Sequence, residues 1–420
     1  KMHDSVSNLH KMEQTDPLYE IARKKSNKLA DICGLLKKTT WKNNIMREAR
    51  ELFYDKEFIT KLDENPYLLC FNNCVVDFKQ KCCRKGQPDD YISKCTNIEY
   101  APLNKIKEKS IIEEIELFIK QLFPDNNLRE YMWQHLASSL LGTNENQTFN
   151  IYNGDGANGK SMLTDLMTKG MGDYSALVPL TLITQKRTSI GSTSSEIVQL
   201  MGVRYAVMQE PSKGDKINEG ILKEITGGDP IQARQLYSES IIFTPQFKLV
   251  CCTNHLFEIK AQDDGTWRRI RQVPFESKFV NNPSNNPDEK QFKKDKTLEN
   301  KLTKWAPIFM GMLVDIARKS KGHVKDCDKV MEASNSYRKR SDYLTKYVDE
   351  CIKKTNDPND TLSKKEVKNS FKEWYESSFD DKTPPLQDLY DKLDNICGKY
   401  KLRKWVGVKI IYDFDYPDED

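Results

Sequence analysis

A glycine-rich octapeptide, GDGANGKS at residues 154–161, offers the clearest chemistry in the chain. It has the spacing Gly-x4-Gly-Lys-Ser that is typical of phosphate-binding loops. Phe149, Ile151 and Tyr152 before it indicate a short buried strand, and an amphipathic helical pattern follows it. In that context, backbone N–H groups and a helix N-terminus point at phosphate oxygens. The segment therefore predicts a nucleotide site rather than a chance glycine-rich turn.

Each residue of this loop has an expected part. The glycines should adopt positive φ angles, so that the backbone approaches a polyphosphate closely. We expect Lys160 to reach the β- and γ-phosphates and the hydroxyl of Ser161 to hold Mg2+, with ATP as the nucleotide. The predicted nucleotide-binding residues are Gly154, Asp155, Gly156, Ala157, Asn158, Gly159, Lys160 and Ser161.

Two apolar strand patterns after the loop end in polar residues. VRYAVMQE ends in Gln209-Glu210, and we expect Glu210 to order Mg2+ and a water molecule for hydrolysis. FKLVCCTN ends at Asn254, which is predicted to touch the γ-phosphate or the attacking water, because ligands bind at the carboxyl ends of parallel strands. The alternatives are that Glu210 simply ends a strand and that Asn254 is a turn residue.

The segment TWRRIR carries the candidate arginines Arg268, Arg269 and Arg271. An arginine aimed at the γ-phosphate of a neighbouring subunit would stabilise transition-state charge and make hydrolysis depend on a ring. A basic strand or a phosphate-binding surface is the alternative.

A β-hairpin is predicted from IQARQLY and IIFTPQFK, with its tip near residues 235–239. Arg234, Gln235 and Tyr237 would present charge and an aromatic face to single-stranded DNA, since charge follows phosphates and aromatic rings stack on bases. Lys223, before the hairpin, is a further candidate. A purely structural hairpin is the alternative.

The surrounding patterns indicate an α/β protein. Strands and helices alternate from Thr148 to about Phe279, which is typical of a parallel, helix-covered sheet. Gly142 is a candidate helix C-cap. The other expected elements are helices over 1–65, two strands around an Asn-Asn turn over 67–78, helices over 107–142, a loop over 281–288, a helix over 297–319, and helices followed by a strand pair, LRKWVGVKIIYDF, after residue 337.

The composition of the chain limits which binding partners and which cellular compartment are expected. The net charge of the 420 residues is +4, so any surface for nucleic acid must be local. We find no apolar run of about 18 residues and no signal peptide, and we interpret the start at Lys1 as a fragment or a processed chain. The 11 cysteines suggest reduced thiols in a cytosolic protein. Those between Cys70 and Cys95 cluster, but without paired Cys-x2-Cys spacing buried thiols are favoured over zinc.

Taken in order, GDGANGKS, AVMQE, TGGDPIQARQLY, FKLVCCTN and WRRIR resemble the superfamily 3 helicases. The sequences of the third and fifth segments, TGGDPIQARQLY and WRRIR, resemble the primase–helicases of large nucleocytoplasmic DNA viruses of poxvirus and asfarvirus type. They also resemble related phage and plasmid replication proteins. FNNCVVDF and GQPDDYISKCT resemble the domain that precedes the helicase in that family.

The resemblance implies a ring-shaped AAA+ motor, usually a hexamer, with ATP between subunits. It assigns phosphate and Mg2+ roles to Lys160 and Ser161, the acid role to Glu210 and the sensor role to Asn254. Arg269 best matches the arginine finger, with Arg268 as the other candidate. Gln209 stands where the family often has a second acid, which leaves the general base open. The hairpin lacks the Lys-His tip of some relatives, which leaves the DNA-gripping residue open.

The implied fold is an AAA+ P-loop core with a parallel sheet, preceded by an α+β region and followed by a winged-helix-like domain. The helices of the second region would form a collar of the ring or simply the core of one subunit. The expected domains are 1–104 (N-terminal α+β), 105–147 (helical collar), 148–325 (ATPase core) and 326–420 (winged-helix-like, with an acidic tail).

The implied function is that of an ATP-dependent DNA helicase in viral replication, moving 3′ to 5′ on single-stranded DNA in the host cytoplasm. A primase domain is expected in the same full-length polypeptide. We expect no primer synthesis from this chain itself, since its one prominent Asp-x-Asp, Asp413-Phe414-Asp415, lies at the end. The alternatives are a small-molecule kinase and a nucleotide-controlled DNA-binding or assembly module with little ATP turnover.

Overall fold

The computed structural model describes residues 7, 12–15, 17–103, 109–185, 194–209, 211, 215–234, 236–237, 240–259, 263–355, 357–379, 383–384 and 386–411. The chain divides into two compact units, Lys1–Lys61 and Leu62–Asp420. Within the described part, every helix is either too short or too polar to cross a membrane.

The first unit is helical, as predicted from its charged, periodic sequence. Its helices are α1 (Tyr19–Leu36), α2 (Thr39–Leu52) and α3 (Phe58–Lys61). In these three helices, Ser26 is the one buried residue.

The second unit begins with a small antiparallel sheet. Its strands are β1 (Leu68–Cys70), β2 (Val75–Asp77) and β3 (Cys82–Arg84), in that order. The predicted pair of strands around the Asn-Asn turn is confirmed, with Cys70 opposite Val75. Strand β3 was not predicted, because its three residues are polar or half-exposed and show no apolar alternation.

Two helices follow, α4 (Lys109–Leu122) and α5 (Asn126–Ser138). The side chain of Asp125 caps α5 by accepting from the N–H of Leu128 at 2.8 Å. The predicted end at Gly142 is wrong, because the helix ends at Ser138. The N–H of Gly142 instead donates to the carbonyl of Pro66 at 2.8 Å, which ties this turn to the small sheet.

The centre of the unit is a five-stranded parallel sheet, as the alternating pattern predicted. The next strands are β4 (Phe149–Asn153), β5 (Ser175–Leu177), β6 (Tyr205–Gln209), β7 (Ile231–Arg234), β8 (Ser240–Phe243), β9 (Lys248–Thr253) and β10 (Ile270–Pro274). The sheet has the order β10-β4-β9-β6-β5, and β7 and β8 form a separate antiparallel hairpin. The helices of this region are α6 (Lys160–Met171), α7 (Thr181–Thr184), α8 (Ser195–Val198), α9 (Glu219–Gly227) and α10 (Asp264–Trp267).

Alternation along each strand gives the sheet two buried faces. In β4, Phe149 and Ile151 belong to one core cluster, whereas Tyr152 belongs to the other, with α4, α5 and α6. Such near-continuous apolar strands are expected where helices cover both faces of a parallel sheet.

After the sheet come two short parallel strands, β11 (Lys278–Val280) and β12 (Gln291–Lys293), and the helices α11 (Leu298–Ser320) and α12 (Asp328–Ser341). The long helix α11 matches the prediction over 297–319. Helix α12 packs on β10, where Ser334 Oγ accepts from the N–H of Gln272 at 2.9 Å.

The C-terminal region has its own apolar core, which starts at Tyr343. Its elements are α13 (Tyr343–Cys351), β13 (Ile352–Lys354), β14 (Thr361–Leu362), α14 (Lys364–Phe379), α15 (Gln387–Cys397), β15 (Trp405–Val406) and β16 (Val408–Ile410). The predicted ribbon of the last two strands is wrong. Strand β15 pairs with β14 and β16 pairs with β13, because Gly407 separates them and its N–H donates to Asp360 O.

A buried cation ties the small sheet to the large one. Arg204, just before β6, is 2% exposed, and its guanidinium donates to the carbonyls of Asn65, Pro66, Leu68 and Leu140 at 2.9–3.2 Å. Three of these carbonyls come from one segment that runs into β1, and the fourth comes from the turn after α5. One side chain therefore bonds two separate chain segments to the start of β6.

Candidate nucleotide site

The phosphate loop connects β4 to α6 at the carboxyl edge of the sheet. Gly156 and Gly159 have positive φ angles of 98° and 80°, as predicted. The same prediction is wrong for Gly154, which is absent from the left-handed region. Gly154 is needed for space instead, because a Cβ there would lie 2.6 Å from the carbonyl oxygen of Phe275.

Lys160, the first residue of α6, is held inside the loop. It is 9% exposed, and its Nζ donates to Gly154 O at 2.6 Å, to Asn158 Oδ1 at 3.3 Å and to Asn254 Oδ1 at 3.1 Å. Burial lowers the pKa of the Lys160 ammonium. The fold thus brings together the predicted phosphate-binding lysine, at the start of the helix after β4, and the predicted sensor residue, which directly follows the adjacent strand β9.

A cleft of about 760 Å3 opens beside this lysine. Its floor is the phosphate loop from Gly156 to Ser161, and the ends of β6 and β9 contribute Gln209 and Asn254. The predicted acid Glu210 lies outside the described residues. The volume falls within the range of about 300–1,000 Å3 that is typical of small-molecule sites.

The opposite wall of the cleft was missed by the sequence analysis. It consists of Phe118 from α4, Phe279 from β11, and the segment from Lys294 to Glu299. The N–H of Phe279 donates to Ala157 O at 2.9 Å, so this wall is bonded to the phosphate loop itself. The only signal of this wall in the sequence was the two phenylalanines. They lie in two short charged segments, whose loop-like composition did not suggest a binding site.

The side chain of Asn158 bonds the phosphate loop to the segment after β10. Its Nδ2 donates to the carbonyls of Phe275 and Ser277 at 3.0 and 2.8 Å, and the side chain is buried. This leaves its Oδ1 facing Lys160. The residue was predicted only as part of the loop, whereas the contacts make it a bridge between the loop and the segment that joins β10 to β11.

The arginines lie at the other end of the sheet. Strand β10 is parallel to β4, and Arg269 directly precedes the first residue of β10. The sheet edge at Arg269 is therefore separated from the phosphate loop by the length of five strand residues, which is roughly 16 Å. Arg268 is exposed and its Nη2 donates to Gln147 Oε1 at 2.8 Å. Arg269 is 8% exposed, its Nη1 donates to Gly265 O, and burial lowers the pKa of its guanidinium. The third arginine, Arg271, pairs with Asp326 at 3.2 Å.

The predicted hairpin is present, with Arg234 opposite Ser240 at the end of β7. Tyr237 in its turn is 96% exposed and has a φ of 58°. Gln235 lies outside the described residues. Lys223 is on α9 rather than on the hairpin, and its Nζ lies 2.8 Å from Asp263 Oδ1 in an ion pair.

The residues fit a nucleotide with its metal ion. The loop provides backbone N–H groups around a space that stays open at Gly156, and the exposed Ser161 lines the cleft. Among the described residues, no group of three or more His, Cys, Asp and Glu side chains could hold a metal ion.

Known families match two parts of the chain. The family described as "D5 N terminal like" matches residues 4–124, and a "Family of unknown function (DUF5906)" matches residues 152–269.

Viral relatives extend this likeness over most of the chain. A protein of Acanthamoeba polyphaga mimivirus named "Putative helicase" is 36% identical over 91% of this chain. The chain is related to the primase–helicases of large nucleocytoplasmic DNA viruses. The resemblance to the primase–helicases of these viruses, which the third and fifth motif segments suggested, is thereby confirmed.

Two further relatives show the spread of the family. A "Putative helicase" of Invertebrate iridescent virus 3 is 31% identical over 86% of the chain, and a "Putative primase" of African swine fever virus is 25% identical over 90%. The mimivirus protein is therefore more similar than the asfarvirus one. The chain spans 41%, 40% and 41% of the length of these three relatives.

Proposed function

We propose that this chain is the motor region of a viral DNA helicase, which hydrolyses ATP between the subunits of a ring. The observation that carries the proposal is the contact between Lys160 Nζ and Asn254 Oδ1 at 3.1 Å. It joins a phosphate-loop lysine to a polar residue on the adjacent strand, at the edge of a parallel sheet where ligands bind. The helicase names of the viral relatives support it.

In this proposal the loop and Lys160 hold the β- and γ-phosphates of ATP. Asn254, whose Oδ1 already accepts from Lys160, orients the γ-phosphate or the attacking water. The hydroxyl of Ser161 contributes to holding Mg2+, which would neutralise charge on the phosphate oxygens when bound. Glu210 keeps its assigned role as the acid that orders water, which is a proposal from the sequence alone.

For the arginine finger we favour Arg268 over Arg269. A side chain that reaches a neighbouring subunit must be accessible, and Arg268 is exposed whereas Arg269 is buried and bonded to Gly265. Both lie at the sheet edge opposite the loop of their own subunit. An arginine there serves a nucleotide held by another copy, which supports a ring, with a hexamer as the proposed form.

The hairpin is the proposed contact with single-stranded DNA. Tyr237 offers an almost fully exposed ring for stacking on bases, and Arg234 offers charge at the end of β7. We retain the AAA+ core and the winged-helix-like domain as proposals, together with a primase domain in the full-length polypeptide and action in the host cytoplasm. The "Putative primase" name of the African swine fever virus relative supports the primase domain.

One specific observation supports a second function. Gln209, an amide, lines the cleft at the end of β6, where many such motors have a carboxylate. An amide cannot take a proton from water, so a module that binds ATP and DNA with little turnover is the competing proposal.

The deciding experiment is steady-state ATP hydrolysis, with and without single-stranded DNA, over a protein concentration series. Wild type is compared with Lys160→Ala, Arg268→Ala and Arg269→Ala. For a ring, turnover per subunit rises with concentration, and both Lys160→Ala and Arg268→Ala are inactive. Mixing these two inactive variants restores part of the activity, because one supplies the arginine and the other the intact nucleotide site.

Two results would contradict the motor. Turnover that is strictly proportional to protein concentration, together with normal Arg268→Ala and Arg269→Ala variants, would show that neither candidate arginine acts across an interface. ATP binding without measurable hydrolysis by the wild-type protein would instead support the binding module.

A further inference from the structure

One side chain, at the edge of the sheet opposite the phosphate loop, contacts two elements with different proposed tasks. Gln147, shortly before β4, accepts a hydrogen bond at Oε1 from Arg268 Nη2 at 2.8 Å. Its Nε2 donates to Gly227 O at 2.6 Å. Arg268 is the favoured arginine finger, and Gly227 is the last residue of α9, which leads into the hairpin. A single amide therefore joins the finger to the base of the hairpin.

The chemistry of the two partners determines the orientation of the Gln147 amide. A guanidinium is only a donor, so it meets the amide oxygen, whereas a carbonyl is only an acceptor, so it meets the amide nitrogen. An ionised glutamate at this position could accept from the arginine but could not donate to the carbonyl. A lysine could donate to the carbonyl but could not accept from the arginine. Glutamine is suited to this position because it serves both partners at once.

The backbone holds Gln147 in a conformation that residues other than glycine rarely adopt. Its φ angle is 48°, in the left-handed region. Its N–H donates to Asn144 O at 3.1 Å, which closes a tight turn. Asn144, at the other end of this turn, donates from Nδ2 to Thr226 O at 3.2 Å. Both ends of the turn thus bond to the last residues of α9, and such a backbone outlier is a reason to look for a function.

Helices α9 and α10 also bond directly to each other. Lys223 Nζ on α9 lies 2.8 Å from Asp263 Oδ1, and the same oxygen caps α10 by accepting from the N–H of Thr266 at 3.0 Å. Arg268 directly follows α10, and its N–H donates to Asp264 O at 2.9 Å. The arginine and the end of α9 therefore belong to one bonded group of elements.

The connection from α9 to the hairpin is short. Helix α9 is joined to β7 by Gly228, Asp229 and Pro230. Gly228 ends the helix with a φ angle of 86°, and the ring of Pro230 fixes its own φ angle. A shift of Gly227 is consequently passed to β7 through few rotatable bonds.

We propose that Gln147 is a positioning residue that couples the arginine finger to the hairpin of the same subunit. In one state Gln147 holds Arg268, as the structure shows. In the other state Arg268 turns to the γ-phosphate of a neighbouring subunit, and the amide then changes its hold on Gly227. The two states differ in a specific contact, which is what a coupling between two sites requires. The coupling rests on the proposed finger and hairpin, but it does not depend on ATP hydrolysis.

The test measures the affinity of the full chain for a fluorescently labelled single strand of DNA, with and without a non-hydrolysable ATP analogue. The ratio of the two affinities reports the coupling. The variant Gln147→Glu keeps the contact with the arginine and loses the contact with the carbonyl, whereas Gln147→Leu loses both. The matched control is Gln80→Glu, at an exposed position between β2 and β3. Thermal melting of all variants checks their folding.

We expect the analogue to change the wild-type affinity for DNA by about tenfold, within the usual range of such couplings. Both Gln147 variants should bring this ratio close to one, and the control should keep the wild-type ratio. For Gln147→Leu, the affinity for DNA alone and that for the analogue alone should stay within about twofold of wild type. A merely structural role of Gln147 would lower these separate affinities as well.

A double variant tests whether the two residues act together. Arg268→Ala should remove the coupling, and adding Gln147→Leu to it should cause no further loss, because both changes break the same link. Partial losses that add in the double variant would overturn the proposal, since the two residues would then act independently.

Two further results would overturn it. An effect of the analogue on DNA affinity that persists in Gln147→Leu would show that the coupling runs through other residues. A wild-type protein whose DNA affinity does not respond to the analogue would have no coupling for Gln147 to carry. Failure of the wild-type protein to hydrolyse ATP would instead contradict the motor alone, because the affinity ratio is measured without turnover.

Discussion

At the scale of single residues, the phosphate loop depends on positions where no side chain fits. Gly156 and Gly159 share a left-handed backbone, but their surroundings differ. A Cβ at Gly156 would meet nothing within 4 Å, whereas one at Gly159 would overlap Leu122 Cδ2 and lie 3.3 Å from Phe279 Cε2. Gly159 therefore also sets how closely α4 and β11 approach the loop.

This difference predicts unequal effects of alanine. Gly156→Ala should cost about 1–2 kcal/mol through backbone strain alone. Gly159→Ala should cost more, and should weaken ATP binding by at least about tenfold, because Leu122 and Phe279 must move and the loop moves with them. Urea unfolding and titration with a fluorescent ATP analogue measure the two effects. Equal losses of stability and of affinity for the ATP analogue in the two variants would contradict this account of the loop.

At the residue scale, a motif that fixes both residue type and spacing was the main guide in the sequence. Lys160 and Asn254, 94 positions apart, were both predicted as site residues, and the structure brings them into contact. Their roles at a nucleotide stay predictions. The wall formed by Phe118, Phe279 and Glu299 could not be predicted, because its members share no spacing. They come together only when β11 bonds to Ala157 and α4 packs against the loop.

At the scale of elements, polar groups are buried where α5 covers β4. The Tyr131 hydroxyl donates to Asn150 Oδ1 at 2.8 Å, and His135 Nε2 lies 2.9 Å from the Tyr152 hydroxyl. His135 is 2% exposed, and burial, with a smaller effect of Lys248, lowers its pKa from 6.5 to about 3. The helix is thus fixed to the sheet by a neutral imidazole.

The burial of His135 predicts that the free energy of unfolding decreases in acid. Between pH 6.5 and about 3 the unfolded chain binds a proton that the folded chain does not bind at His135. The contribution is complete above pH 6.5, and the free energy of unfolding falls below it by up to about 1.4 kcal/mol per pH unit. His135→Gln should reduce this slope, as measured by urea unfolding between pH 7 and 5. The variant His323→Gln, at an exposed position, is the matched control for the loss of a histidine, and the expected result is a larger change of slope for His135→Gln than for His323→Gln.

Elements were predictable in proportion to their apolar pattern. β4, β6 and β9 are buried for almost their whole length and stood out in the sequence. β3, β11, β13 and β14 have two or three residues each and largely polar or mixed sequences. Strands β13 and β14 also pair with distant partners, β16 and β15, so the sequence suggested a simple ribbon in place of two separate pairs.

At the scale of the whole molecule, the small sheet and the large one form one structural body. Arg204 takes three of its four acceptors, Asn65, Pro66 and Leu68, from the segment around β1. A fragment of residues 105–420 would remove those three acceptors together with the segment that covers the guanidinium, and would leave Leu140 as the remaining acceptor of the four.

We therefore expect fragment 105–420 to be destabilised by at least about 3 kcal/mol relative to fragment 62–420, because it loses three hydrogen bonds to a charged group and the apolar contacts of Leu69, Phe71 and Val76 in the shared core. Thermal unfolding of the two fragments measures the difference. The Arg204→Met variant of 62–420 provides a second test, since it removes the charge and leaves the carbonyls without donors. Similar melting of both fragments would show that the two sheets are independent.

The position of Arg204 also bears on how this chain could be recombined. The residue lies in the segment that matches one family, residues 152–269, while its acceptors lie outside it, three of them in the segment that matches another, residues 4–124. A recombinant of this chain that exchanged one segment without the other would set the Arg204 guanidinium against a different stretch of backbone. We therefore expect the two segments of this chain to tolerate exchange only as a pair.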